Sequence, residues 1–396
     1  MKSLKIISSF IIIIVLNSCS KSDATYVDVS NYPNVKAAFG TKIDLENLID
    51  YAGQTVPSYI TKDNTILGNS ITNKGATLGR VLFYDKNLSY NNSVSCSSCH
   101  QQANAFGDVA LASSGAYGTT ERHSMRLINT RFASEFKFFW DERVSSLETQ
   151  TSMPIKNHDE MGYSGLNGDA SFADLITKLS AIGYYKELFK FVYGTEEITE
   201  SKMQLALAQF VKSIQSFDSK YDTGRSQVAT DSETFPNFTN EENQGKNLFL
   251  TSTVFDNTGN RISGGLACAQ CHKVPEFDIM VNSHNNGVIV NMNGTGVDLN
   301  ITRAPTLRNL VKPNGTLNGP MMHSGVFTTL EQVIAHYGNI TVAPGNTNLD
   351  QKLNQNGNGQ QLHVTTTEVN SVIAFIKTLS GTAVYTDSKW SNPFLN

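Results

Sequence analysis

The sequence predicts a mainly α chain in which one unit occurs twice. Three observations carry this. Apolar residues recur at helical spacing in Phe172, Leu175, Ile176 and Leu179, and again in Leu207, Phe210, Val211 and Ile214. No segment sustains the alternation of a half-buried strand. The pentapeptide Cys96-Ser97-Ser98-Cys99-His100 returns, with other middle residues, as Cys268-Ala269-Gln270-Cys271-His272.

C-x-x-C-H is the attachment signature of c-type haem. Its two cysteines bond the haem vinyl groups, and its His supplies one axial ligand to the iron. Cys96, Cys99, Cys268 and Cys271 are therefore expected to attach two haems, with His100 and His272 as proximal ligands. A four-cysteine zinc site is the alternative. The first cysteines of the two pairs lie 172 residues apart (268 minus 96), far more than a zinc ribbon uses, and zinc leaves the two histidines unexplained. The expected fold class is mainly α: two cytochrome c-like haem domains related by internal duplication, with long loops.

Shorter matches in the same order support the duplication. Leu78-Gly79-Arg80-Val81-Leu82-Phe83 precedes the first motif, and Gln244-Gly245-Lys246-Asn247-Leu248-Phe249 precedes the second. Downstream, Arg126-Leu127-Ile128-Asn129 pairs with Thr306-Leu307-Arg308-Asn309, and Ser145 to Glu148 with Thr328 to Glu331. Thr239 to Glu242 and Thr328 to Glu331 read as capping boxes. A final helix is expected after Thr365, with Val369, Val372, Ile373 and Ile376 on one face and Gly381 as its stop. Loops rich in Asn, Gly, Ser and Thr fall at 218–238, 284–300 and 340–362, and 218–238 is expected to be the interdomain linker.

The fifth of five cysteines, Cys19, belongs to export. Lys2 and Lys5 precede an apolar run from Phe10 to Leu16, too short to span a bilayer. Leu16-Asn17-Ser18-Cys19 resembles a lipoprotein cleavage box, and an ordinary secretory signal is the alternative. The expected organisation is a signal peptide over 1–18, a lipid-anchored tether over 19–44, haem domains over 45–235 and 236–385, and a tail over 386–396. The expected location is the periplasm, held to a bacterial membrane through Cys19. A net charge of −4 implies no polyanionic partner and argues against nucleic acid.

The sixth ligand decides the chemistry of each iron. In the second half, Pro320-Met321-Met322-His323-Ser324-Gly325 offers a thioether, which raises the iron potential and suits electron transfer. Met322 is favoured, with His323 a competing ligand and Met321 and Met322 as core filler the alternative. The matching stretch of the first half, Phe138-Phe139-Trp140-Asp141-Glu142-Arg143, has no Met, and Trp140 falls near the ligand position. An iron without a strong ligand there could bind peroxide. Ligation by His123, Met125 or Met153 would instead give a plain electron carrier.

The chain resembles the bacterial di-haem cytochrome c peroxidases. Beyond the haem motifs, the matching pieces are Leu78 to Asp85, Phe139 to Arg143, Ser146-Leu147-Glu148-Thr149-Gln150, Glu160-Met161-Gly162, Pro305 to Asn309 and Met322 to Gly325. The resemblance covers roughly residues 45–385. It implies an N-terminal peroxidatic haem and a C-terminal electron-transfer haem. It places the interhaem tryptophan on Trp140, the distal glutamate on Glu160 and a nearby glutamine on Gln150. It implies reduction of hydrogen peroxide to water with electrons from a small periplasmic c-type cytochrome or copper protein (a cupredoxin). A homodimer stays open.

Two positions depart from the family pattern. His123 stands where relatives have an Asn that helps bind calcium, which puts a calcium site in doubt because calcium prefers oxygen ligands. That His could instead be a removable ligand of the first iron, or neither. Glu142 stands where many relatives have Gly. His158 is placed near the distal pocket, His336 on a helix surface, and His284 and His363 in polar loops. Two other functions are considered: a di-haem electron carrier, and a di-haem oxidase acting on a protein substrate, like the methylamine-utilisation enzymes. Those enzymes have Tyr where this chain offers Met322.

Overall fold

The computed structural model describes residues 31–133, 136–279, 281–300 and 303–395. The signal peptide, its cleavage box and Cys19 lie outside the described residues. Among those described, helices run α1 Pro33–Phe39, α2 Asn73–Tyr84, α3 Cys96–Cys99, α4 Leu147–Ser152, α5 Phe172–Ser180 and α6 Gly183–Tyr193. They continue with α7 Glu200–Ser213, α8 Lys220–Arg225, α9 Asn240–Leu250, α10 Leu330–Gly338, α11 Thr366–Lys377 and α12 Ala383–Thr386. The strands form three short two-stranded antiparallel ribbons, so the chain is helix-rich with few strands. None of the described helices is long and apolar enough to cross a membrane.

Two helix pairs frame the cores, α2 against α7 and α9 against α11. Each pair meets through a glycine. A Cβ on Gly79 would overlap the Ala206 carbonyl, and one on Gly245 would overlap the Ser371 carbonyl. Such backbone contact tolerates no side chain. Gly245→Ala is expected to cost about 3 kcal/mol as overpacking, seen as a lower urea midpoint of the holoprotein. An unchanged midpoint would contradict this packing.

Matching anchors follow each pair. The Asn129 N–H donates to the Ile214 carbonyl and its Nδ2 to the Ser216 carbonyl. The Asn309 N–H donates to the Leu379 carbonyl and its Nδ2 to the Gly381 carbonyl. Both asparagines hold left-handed backbone, at φ 55° and 50°, which Asn adopts more readily than most residues.

Five expectations are corrected here. Residues 33–45 are no tether. Val35 and Phe39 are buried, and the Glu187 carboxylate accepts the N–H groups of Asn34 and Val35 at 3.1 and 2.9 Å. Residues 386–395 are no mere tail, because Trp390 is buried in the core formed by α2 and α7. There the Arg80 Nε donates to the Ser391 carbonyl at 2.7 Å. The stretch 218–238 is folded rather than a linker. It contains α8, and Tyr221, Phe235 and Phe238 share a core with Phe249, Phe277 and Phe375. The cap of α10 is Thr329 with Gln332, one residue beyond the expected Thr328, and α11 stops at Lys377, before Gly381.

Candidate functional site

Two cavities open in this frame. The first is walled by Cys96, Cys99, His100, Gln150, Glu160 and Met161, and holds about 690 Å³ counting space that opens to solvent. The one-turn helix α3 carries both cysteines, and the Ser95 hydroxyl caps it. His100 follows as the helix unwinds. Ala105 and Phe106 both take positive φ, 53° and 58°, which turns the Phe106 carbonyl towards His100 Nδ1 at 3.2 Å. A proton held on Nδ1 leaves Nε2 as the free ligand atom.

Gln150 lies on α4, and Glu160 on the loop between α4 and α5. Burial pushes the Glu160 carboxyl above its usual range. The charge of Arg143 opposes this, while Glu121 and Asp159 add to it. A carboxyl poised above its normal value can both take and return a proton near neutral pH.

The second cavity is larger, about 1250 Å³ counting open space, and contains Cys268, Cys271, His272 and Met322. Met322 sits at φ 72°, costly for a long side chain and typical of backbone held for a purpose. Its sulfur accepts from Asn286 Nδ2 at 3.2 Å. Asn286 is fixed in turn. Its carbonyl faces His336 Nε2 at 2.9 Å, and its Nδ2 also donates to the Tyr337 hydroxyl at 3.2 Å. His336 is thus a support for this site rather than a surface residue. His284, in a loop as expected, also lines the same cavity.

Asn286 and His336 were missed as site residues. The signal was faint: one Asn in an Asn-rich loop, whose partner lies 36 residues further on. Groups that hold a ligand also tune the metal. Asn286→Leu is expected to shift the second haem's reduction potential and its methionine-ligand absorption band while leaving the first haem's spectrum unchanged. Potentiometric titration checks this, and an unmoved potential would remove Asn286 from the site.

Ser124 lines both cavities. Next to it, the His123 carbonyl accepts from Trp140 Nε1 at 2.7 Å, and the His123 N–H donates to the His323 carbonyl at 2.8 Å. The Trp140 and His323 rings meet edge-on at 6.3 Å. Arg122 bridges Asp141 and Asp298 at 2.7 and 2.8 Å, tying the Trp140 loop to the second half. Trp140 is therefore buried in the wall of the second cavity, hydrogen-bonded to the residue next to Ser124, which both cavities share.

Other predicted residues fall elsewhere. His123 and Met125 line the second cavity and not the first, yet both lie close enough to His100 to act on its charge. Burial holds the His123 imidazole below its usual range, and its Nδ1 faces the Leu111 carbonyl at 3.2 Å. Met153 lines neither described cavity, whereas Met161 lines the first. His158 is exposed and stacked on Tyr117, outside the distal pocket where it was expected.

The loops around Trp140 and Met322 share one geometry. Phe138 bridges Val144 as Met321 bridges Phe327. Positive φ falls at Phe139 and Glu142 (70° and 55°) and at Met322 and Gly325 (72° and 63°). The position of Met322 is thus taken by Phe139, and Trp140 matches His323, one residue from the expected alignment. The left-handed backbone at Glu142 is one that Gly would adopt without strain.

The donor set fits haem c on both sides. The four described cysteines are free thiols, and each pair lines a cavity beside its His. Burial pushes Cys96 and Cys268 up to about 12, and Cys99 and Cys271 up to about 11. The two pairs line separate cavities, and among the described residues no three His, Cys, Asp or Glu side chains converge as a structural zinc site requires. Burial lowers His272 to about 4, the neutral form that binds iron.

Known proteins resemble the chain accordingly. The family model for di-haem cytochrome c peroxidase matches residues 73–229. The cytochrome c551 peroxidase of Nitrosomonas europaea is 28% identical over 320 residues, 77% of this chain and 80% of that protein. The methylamine utilization protein MauG of Methylophilus methylotrophus is 27% identical over 331 residues, covering 80% and 86%. Among solved structures, a MauG-like protein associated with microbial copper homeostasis matches with a TM-score of 0.65 at 24% identity, covering 86% of this chain and 99% of that one. The Y463M variant of the diheme peroxidase BthA from Burkholderia thailandensis matches with a TM-score of 0.62 at 20% identity, covering 86% and 93%. The chain is thus similar to the di-haem cytochrome c peroxidases over most of its length, and its two C-x-x-C-H motifs carry two covalently bound c-type haems.

Proposed function

We propose that the chain is a di-haem peroxidase that reduces hydrogen peroxide to water with electrons from a small c-type cytochrome or copper protein. The observation that carries this is the difference between the cavities. One holds a thioether fixed by a hydrogen bond, and the other holds a half-buried carboxyl beside an amide.

The haems supply the one-electron chemistry when bound, held by Cys96, Cys99 and His100 in the first cavity and by Cys268, Cys271, His272 and Met322 in the second. Glu160 takes a proton from one peroxide oxygen and returns it to the departing one. The Gln150 amide orients the peroxide by hydrogen bonding. Two electrons and two protons convert one peroxide to two waters. Trp140, buried in the wall of the second cavity, shortens the path for electrons between the cavities. Met322, in place of the Tyr of the methylamine-utilisation enzymes, favours relay over oxidation of a protein side chain.

The matched glycine contacts, asparagine anchors and paired loops support descent of both halves from one duplicated haem domain. Residues 33–39 and 383–395 pack on the first half, which supports counting both stretches with the first haem domain. Covalent haem attachment fits a periplasmic protein, anchored through lipid-modified Cys19 after removal of residues 1–18.

Stopped-flow mixing of the purified holoprotein with hydrogen peroxide and a reduced small c-type cytochrome tests the reading. Catalytic oxidation of the cytochrome, two equivalents per peroxide, is expected. A fully loaded protein that leaves the cytochrome reduced would refute it.

A further inference from the structure

A run of tyrosines leads to solvent from behind the loop that lines the first cavity with Glu160 and Met161, and the rings themselves do not line it. Tyr163 is buried, while Tyr90 and Tyr117 are 50% and 49% exposed. The Tyr163 and Tyr90 rings lie 6.0 Å apart edge-on, and the Tyr90 and Tyr117 rings 5.9 Å apart. The His158 imidazole stacks on Tyr117 at 5.0 Å, and its Nδ1 is held by the Asp169 carboxylate at 2.8 Å.

These rings clasp the loop that presents Glu160 and Met161 to the cavity. The Tyr90 N–H donates to the Met161 carbonyl at 2.9 Å, the Ala116 N–H to the Glu160 carbonyl at 2.8 Å and the Tyr117 N–H to the Asp159 carbonyl at 3.2 Å. Between them Gly162, at φ 82°, leaves room for the rings. A Cβ there would stand 2.7 Å from the Tyr117 ring and 3.2 Å from Tyr90. The aromatic groups thus begin one peptide away from the cavity wall and end in water.

Aromatic side chains left half in water at a site boundary call for an explanation beyond packing. Phenols are among the few side chains that give up a single electron, and tunnelling between them falls steeply with distance, so ring contact matters. The Lys178 ammonium lies 3.3 Å from the Tyr163 hydroxyl. Its charge opposes a hole resting there and drives it to the exposed pair. None of these rings lines the second cavity.

We propose that Tyr163, Tyr90 and Tyr117 form a second electron entry to the first cavity, which serves small phenol or hydroquinone donors at the Tyr117–His158 surface. The inference rests on the peroxidase reading. When peroxide is reduced in the first cavity, the electron comes from Tyr117 through Tyr90 and Tyr163, and the phenolic proton leaves to water. An external phenol then returns one hydrogen atom to Tyr117. In sum, one hydrogen peroxide and two phenols give two waters and two phenoxyl radicals.

The test treats the holoprotein with peroxide and no donor in the presence of a nitroso spin trap, then maps adducts by peptide mass spectrometry. The wild type is expected to carry adducts on Tyr117 or Tyr90. Y90F/Y117F keeps both rings but loses the O–H groups. It is expected to lose the adducts and to oxidise 2-methoxyphenol at least about tenfold more slowly, while cytochrome oxidation stays within about twofold. Adducts elsewhere only, or 2-methoxyphenol oxidation unchanged in Y90F/Y117F, would overturn the inference and leave the peroxidase reading standing. A wild type that oxidises neither cytochrome nor 2-methoxyphenol would overturn both.

Discussion

Glu160→Gln is expected to lower kcat/KM for hydrogen peroxide by roughly 10²–10⁴, the usual span for losing a positioned acid–base group. The amide keeps the shape and a hydrogen bond but cannot hold and return a proton. The sign of the pH dependence follows from the environment. Burial raises the Glu160 carboxyl above its ordinary range, against the opposing charge of Arg143. The base form is needed to accept the first proton, so activity rises with pH through this raised value. The acid limb of kcat/KM should therefore lie above the ordinary carboxylate range, and Glu160→Gln should erase it. Arg143→Gln, which removes the opposing charge, should move the limb further up. Haem spectra of all three proteins should agree, which separates lost proton transfer from lost haem. A pH profile that keeps its limb in Glu160→Gln would remove this residue from the chemistry.

Met322→Ala is expected to change the other half of the reaction. Loss of the thioether lowers the potential of the second haem. Electron transfer from the reduced cytochrome should slow by about 100-fold or more, since even groups behind a ligand are worth 10–100-fold. Peroxide affinity at the first cavity should be unaffected. Fast cytochrome oxidation, with the methionine-ligand band intact, would mean that another group caps the second iron. His323 is the rival. Its imidazole is buried, neither ring nitrogen has a hydrogen-bond partner, and Nε2 lies 3.6 Å from the Asp298 carboxylate. Burial holds it below its usual range. Met322→Ala/His323→Ala would then identify it.

Much of this was legible in the chain itself. The haem motifs announced both cavities, because covalent attachment demands those residues in that order. Helix boundaries set by local capping, such as Thr239 with Glu242 and Thr365 with Glu368, were found where expected. Long-range packing was hidden. Phe39 and Trp390 reveal nothing locally of the core they share, so α1 was read as tether and the C-terminus as tail. The pairing of Glu160 and Gln150 was visible only through resemblance, since they sit on different elements with no common period.

Backbone conformation was the other blind spot. Met322 and Phe139 both adopt left-handed φ, which nothing about either residue type foretells. That conformation sets the register of the two loops, which is why Trp140 was aligned one residue from its structural counterpart. Asn286 shows the same limit. A hydrogen bond to sulfur across 36 residues leaves no local pattern.

The account rests on an inequality between the haems, and EPR of the half-reduced holoprotein, before and after peroxide, tests it most directly. The higher-potential methionine-ligated haem is then ferrous and EPR-silent, and the predicted result is one ferric first-site signal that changes as soon as peroxide is added, while the low-spin signal of the second haem grows in as it is oxidised. A first-site signal that is low-spin, six-coordinate and indifferent to peroxide, with no second signal growing in, would contradict it.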